Sequence, residues 1–321
     1  MKQDDIHRYL PEVLEKKIPE KTKLVETLMG ILFIEKGAVY RRLRGEVPFT
    51  FYEVATIAEK LGISLSEFVN SGSGQIERFE LNIIEYMNMS DRDYKQWEDY
   101  VSLISRAKSD PRSEIAESSN LLPISIYGKF DFLSKYFLFK YQYLYSGTES
   151  RITFGDLVVP ERLYRIFKSY FDESKHFSKS VYIWDPMIFH YLVNDIGFFA
   201  GINLISTDDI QQIKKDLFDL LDYVEKITLH GCFEETGNSV SFYISDTNLF
   251  SDYSYVQFND TYISLVRTFI LNSVVSTTRS SYEKIKMWIN SLKKSSVLIT
   301  QSGTAYRANF FEKQRKIIGE L

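Results

Sequence analysis

Between Pro19 and Glu67 the chain is punctuated so closely that only short helices fit. Gly45 and Gly62 fall where a left-handed residue can close a helix. Thr50-Phe-Tyr-Glu53 and Ser64-Leu-Ser-Glu67 each read as a capping box, the hydroxyl accepting from the N3 amide while the glutamate reaches back to the N-cap. Pro19 stands at a helix start, where its missing N–H would be unpaired anyway. Between these stops the apolar residues keep a helical period: Ile6, Leu10, Val13 and Leu14 over 4–17, Leu24, Leu28, Ile31 and Leu32 around 20–31, and Val54, Ile57, Ala58 and Leu61 after Thr50. An apolar turn at Phe33–Ile34 leads into a helix expected over about Glu35 to Arg44. The expectation is five short helices in the first 70 residues.

Charge is distributed unevenly within this segment. Residues 1–70 hold 11 Lys/Arg and 11 Asp/Glu, yet Lys36 to Arg44 carries Lys36, Arg41, Arg42 and Arg44 with no acid. If Val39 and Leu43 face the core, then at about 100° per residue Gly37 and Arg41 point nearly opposite. Tyr40 and Arg44 lie to one side, Ala38 to the other, and Lys36 and Arg42 on the flanks. Small residues permit close approach to a DNA groove, and arginine can donate two hydrogen bonds to guanine O6 and N7. A basic helix face by itself is more often simply solvated.

The stretch Ala38-Val-Tyr-Arg-Arg-Leu-Arg-Gly-Glu-Val-Pro-Phe-Thr-Phe-Tyr-Glu53, followed by Ile57-Ala-Glu-Lys-Leu-Gly-Ile-Ser-Leu-Ser-Glu67, resembles the λ-repressor/Cro-type (XRE-like) helix-turn-helix family over roughly residues 5–70. In that family a recognition helix ends in a basic residue and glycine, a proline-containing loop follows, and the next helix ends in Leu-Gly-(Val/Ile)-Ser-Leu. Two positions depart from the pattern. Lys21, Thr22 and Lys23 stand where glutamine is common, and Phe33 replaces the glycine usual before the recognition helix. The resemblance implies a recognition helix at about 35–44, with Tyr40, Arg41, Arg44 and Ala38 at base edges. It places Lys21, Thr22, Lys23, Lys36 and Arg42 on phosphates, setting register.

At 321 residues there is room for further units, since domains usually run about 100–200 residues. Ser71-Gly-Ser-Gly74 reads as a flexible linker spanning 71–75. Residues 76–108 read as one or two helices and 109–120 as a loop. Leu121 to Tyr145 is an aromatic-dense helical stretch, expected to be core or dimer interface. Residues 146–321 are expected to be an α+β regulatory and dimerisation domain with an antiparallel sheet. Val240, Phe242 and Ile244 alternate with polar neighbours, as do Tyr253, Tyr255 and Gln257, and Asn259-Asp260 makes a hairpin turn. Helices are expected at 160–174, 207–226, 280–292 and 304–319, with a strand at 296–300. The fold class is therefore a mainly α, multi-domain chain: a five-helix bundle followed by a larger helical and α+β region.

Little in the sequence points to catalysis. There is no phosphate-binding loop, dinucleotide glycine fingerprint, G-x-S-x-G elbow or C-x-x-C. His230 and Cys232 lack a second nearby pair to complete a tetrahedral metal set. Asp185, His190 and Asp195 are spaced by five, which does not stack them on one helix face. No metal, cofactor or enzymatic activity is expected. The single cysteine, Cys232, fits a reducing compartment. The most apolar stretch, Val181 to Ile205, contains Asp185 and Asp195, which a bilayer core penalises by roughly 2.5–3.5 kcal/mol each. The expectation is a cytoplasmic, homodimeric regulator that binds double-stranded DNA, with the C-terminal region sensing a small molecule, peptide or protein. The rival is an interaction scaffold that uses the helix-turn-helix for assembly.

Overall fold

The computed structural model describes residues 10–11, 13–15, 17–63, 77–145, 152–301 and 303–321. The chain divides into two compact units, Met1–Glu77 and Arg78–Leu321.

In the first unit, helical residues within 10–17 precede α1 (Lys21–Leu32), α2 (Lys36–Leu43) and α3 (Phe51–Leu61). Their apolar stripes meet in one core: Leu10, Leu14, Leu24, Val25, Leu28, Val39, Ile57 and Ala58, closed by Phe49 and Ile63. The stops act as their chemistry dictates. Phe33 takes a left-handed conformation (φ 53°) to end α1. Gly45 (φ 73°) turns the chain after α2, and the Glu46 and Val47 amides donate back to the Arg41 carbonyl. The Thr50–Glu53 capping box forms in full, and Gly62 (φ 61°) closes α3. The fifth helix with its Ser64–Glu67 box, and the linker at 71–75, lie outside the described residues.

Among the described residues the second unit is built on an eight-stranded sheet. Its strands are β1 (Glu80–Leu81), β2 (Glu114–Ser119), β3 (Lys179–Trp184), β4 (Ser239–Ser245), β5 (Tyr253–Phe258), β6 (Thr261–Arg267), β7 (Ser273–Ser276) and β8 (Ser296–Leu298), ordered β1-β7-β6-β5-β2-β3-β4-β8. β2, β3 and β4 are parallel, and the remaining pairings are antiparallel. The helices are α4 (Asp91–Ile104), α5 (Ile124–Tyr127), α6 (Asp131–Tyr145), α7 (Glu161–Ser174), α8 (Ile188–Gly201), α9 (Thr207–His230), α10 (Arg279–Leu292) and α11 (Thr304–Gly319).

The sheet is thus mixed rather than antiparallel, which corrects the sequence expectation. Parallel neighbours need long crossovers, here α5–α7 between β2 and β3 and α8–α9 between β3 and β4. Strands flanked by such crossovers are buried on both faces and lose the alternation that marks a half-buried strand. Ser180 to Trp184 is buried throughout, and it runs with one short turn into α8, so strand and helix merge into one apolar stretch. β2 corrects the expected loop at 109–120. Glu-Ile-Ala-Glu-Ser-Ser is buried at every position because each acid finds partners: Glu114 pairs with Lys286 and Lys179, and Glu117 accepts from Ser125. Residues 76–145 and 146–321, read separately from the sequence, contribute strands to the same sheet.

The aromatic run Leu121–Tyr145 forms α5 and α6 and supplies core. Tyr127, Tyr136, Phe137 and Phe139 are fully buried, with Tyr127 stacked on Phe137 at 4.4 Å. Asp216 of α9 accepts from the Phe132 and Leu133 amides (2.8 and 3.2 Å), satisfying donors that the first turn of α6 leaves unpaired. Among the described residues no helix is long and apolar enough to cross a membrane.

Candidate nucleic-acid interface

Burial fixes which way α2 faces. Val39 is fully buried and Leu43 half-buried, so the opposite side of the helix is its solvent face. Gly37 and Arg41 lie there, both exposed. A Cβ on Gly37 would meet nothing within 4 Å, so the backbone is bare to whatever approaches. Among the described residues no ion pair or side-chain hydrogen bond engages the Arg41 guanidinium, whose full donor set stays available to a ligand.

The other arginines differ. Arg44 follows α2 and pairs with Glu46 (2.9 Å) while both side chains stay half or more exposed. Such a pair is worth about 0–1 kcal/mol, so a stronger acceptor can take Arg44 over. Arg42 points inward. Its Nη2 lies 2.8 Å and its Nε 3.2 Å from the Glu53 carboxylate, with only 16% and 13% of the two side chains exposed. Glu53 also accepts from the Thr50 amide at 2.8 Å. One carboxylate therefore caps α3 and clamps α2 to it. Burial opposes ionisation of Glu53, but the hydrogen bonds from Arg42 and Thr50 outweigh it and hold the carboxyl below its ordinary range.

Tyr40 is half-buried and packs on the core, so less of it is offered to a base edge than the helical wheel implies. Ala38 is half-buried, and Lys36 is exposed in the first turn of α2. Lys21, Thr22 and Lys23 are exposed in the first turn of α1, which has no acid and no side-chain cap from Glu20. Two cations at a helix N-terminus oppose the macrodipole, an arrangement that bound anions relieve. The sequence reading missed Glu53 as the partner of Arg42. The pairing spans 11 residues and two helices, and no local spacing rule reports it.

Set against family models, curated proteins and solved structures, the chain matches none.

The catalytic and metal candidates of the sequence each engage other groups. Asp185 is buried and accepts from the Met187 and Leu249 amides, bracing the loop after β3. His190 bonds Asn194, and Asp195 pairs with Lys140. His230 lies 3.6 Å from Glu234, and Cys232 makes a β-bridge with Ser239. Among the described residues no group of three or more His, Cys, Asp or Glu is arranged to hold a metal.

Proposed function

We propose that the first unit is a λ-repressor-like helix-turn-helix domain and that α2 enters the major groove of double-stranded DNA. The observation that carries this reading is the outer face of α2: a bare Gly37 beside an uncommitted, exposed Arg41, opposite a buried Val39. Arg41 and Arg44 are the base-reading residues, with Ala38 and the exposed edge of Tyr40 lining the approach. Lys36 and the first turn of α1, Lys21, Thr22 and Lys23, hold phosphates. Arg42 becomes a positioning residue, because its guanidinium is already engaged by Glu53. The protein acts as a cytoplasmic transcriptional regulator, a homodimer on two half-sites, with the second unit for dimerisation and effector sensing. Two modules on one dimer gain effective concentration, so a chain of net charge −4 can still bind a polyanion.

The test separates the arginines. Arg41→Ala should lower affinity for a selected site by about 1–3 kcal/mol and relax base preference. Arg42→Ala should leave the preferred sequence unchanged. Three exposed aromatics in the same unit, Phe33, Phe51 and Tyr52, at 91%, 80% and 79%, favour a second reading in which this domain docks a protein. In that case Phe51→Ser/Tyr52→Ser abolishes assembly, while Arg41→Ala leaves DNA behaviour untouched.

A further inference from the structure

One face of the antiparallel half of the sheet encloses an unfilled space within the second unit. Glu117 of β2, Ser254 of β5, Leu265 of β6 and Val275 of β7 are successive cross-strand partners, so they line up on one face. α4 contributes Trp97 and Tyr100 to the same space, and α7 contributes Tyr170. The cavity measures about 680 Å³, within the ordinary range for small-molecule sites of roughly 300–1,000 Å³. Tyr100 and Tyr170 stack at 5.8 Å, and Trp97 meets Tyr170 edge-on at 6.1 Å.

Glu117 is 6% exposed, and its single hydrogen bond to a described residue comes from the Ser125 hydroxyl at 2.8 Å. It has no ion-pair partner among the described residues. Arg267, a half-buried cation nearby, pairs through Nε with Asp252 at 3.0 Å. The lining carries the acids Glu80, Asp99, Glu117 and Asp252 against only Arg92 and Arg267. A buried carboxyl lacking a countercharge is costly to ionise. Aromatic faces beside it attract a cation through their quadrupoles. For an anion the nearest cation, Arg267, already pairs with Asp252.

We propose that this cavity binds a small organic cation, an ammonium, amidinium or guanidinium group on an apolar body, with Glu117 as its counter-ion and Trp97, Tyr100 and Tyr170 as its aromatic walls. The site lies within one unit and stands whether or not α2 reads DNA.

Proton linkage gives the site a signature. Burial pushes the Glu117 carboxyl up to about 7, with Ser125 and Arg267 pulling it partly back and Asp252 adding to the rise. The charged or titratable groups facing it are Arg267, Asp252, Tyr100, Tyr170 and Tyr182, and burial keeps the three phenols un-ionised. Below pH 7 a bound cation therefore ionises a protonated Glu117, and the proton passes to the buffer.

Isothermal titration of the full chain at pH 6, in buffers of different ionisation enthalpy, tests this with three probes: tryptamine, agmatine and spermidine. Indole-3-propionate serves as the anionic counterpart of tryptamine. The expected result is sub-millimolar binding of at least one cation with proton release. Glu117→Gln should weaken it at least tenfold and abolish the release, with an unchanged circular dichroism spectrum. Tyr100→Leu, at the wall, provides a second variant should Glu117→Gln fail to fold, and it should weaken cation binding at least threefold. Absence of cation binding to folded wild type, tighter binding of the anion, or undiminished binding by the folded variants would each overturn the proposal.

Discussion

The clamp between Arg42 and Glu53 allows the positioning of α2 to be measured apart from anything α2 touches. Glu53→Gln leaves an oxygen that can still accept from the Thr50 amide but removes the charge, whereas Glu53→Ala removes the carboxylate's half of the capping box and the pair together. A capping interaction is worth about 1 kcal/mol. Exposed pairs contribute about 0–1 kcal/mol, and breaking fully buried ones costs about 3–5. With 16% and 13% of the side chains exposed, this pair falls toward the low end of that gap, at roughly 1–2 kcal/mol once discounted for solvent. Glu53→Ala should therefore cost about 2–3 kcal/mol of local stability, and at about 1.4 kcal/mol per tenfold, α2 and α3 should open roughly 30- to 150-fold more often. Glu53→Gln should show about half that effect in free energy. Hydrogen exchange of peptides spanning 36–61, read by mass spectrometry, reports it directly. The lowered Glu53 carboxyl adds a pH arm: its contribution is complete above its ordinary value near 4.5 and is lost as pH falls through the depressed value in the folded protein. Protection should fall with acidification in wild type and less so in Arg42→Met. Equal exchange in Glu53→Ala and in the exposed control Glu59→Ala would refute the clamp.

Phe33→Gly should slow exchange at the end of α1. A left-handed non-glycine residue costs about 1–3 kcal/mol, more than the roughly 0.5–1 kcal/mol glycine loses in entropy. Phe33 is 91% exposed, so it has almost no packing to lose; destabilisation would show that its ring is needed in the folded unit. Gly128→Ala should cost more than about 3 kcal/mol of second-unit stability. A Cβ there would lie 2.6 Å from the Phe167 carbonyl oxygen and 2.7 Å from that of Ile124, both backbone atoms with little room to yield. Trp97, Trp184 and Trp288 all lie in this unit, so fluorescence-detected melting reads it selectively. Gly197→Ala, helical and open on all sides, is the matched control and should raise the same melting point.

What the sequence discloses is what local chemistry determines. The Thr50–Glu53 box and Gly62 bound α3 within four residues of their partners, so they read directly. The turn at Asn259-Asp260 and the helices Arg279–Leu292 and Thr304–Gly319 were legible for the same reason. β2 was not, because nothing in Glu-Ile-Ala-Glu-Ser-Ser announces that Lys286, 172 residues later, will satisfy its first acid. Nor was β3, whose apolar residues continue into α8 with a single Asp-Pro between them. In the candidate interface, the outward direction of Arg41 followed from helical geometry alone. The inward turn of Arg42 depended on where α3 packs. The cavity around Glu117 depended on β1, β2, β5, β6 and β7 meeting α4, α5 and α7, which no window of sequence contains.

Whether α2 reads DNA is decided by a salt titration of binding to a pool of duplex DNA, wild type beside Arg41→Ala/Arg44→Ala. Wild type should enrich a defined motif, with affinity falling steeply as salt rises, and the double variant should lose both enrichment and affinity. A folded wild-type protein that binds no duplex at low salt, or a double variant that enriches the same motif equally well, would contradict DNA reading by α2.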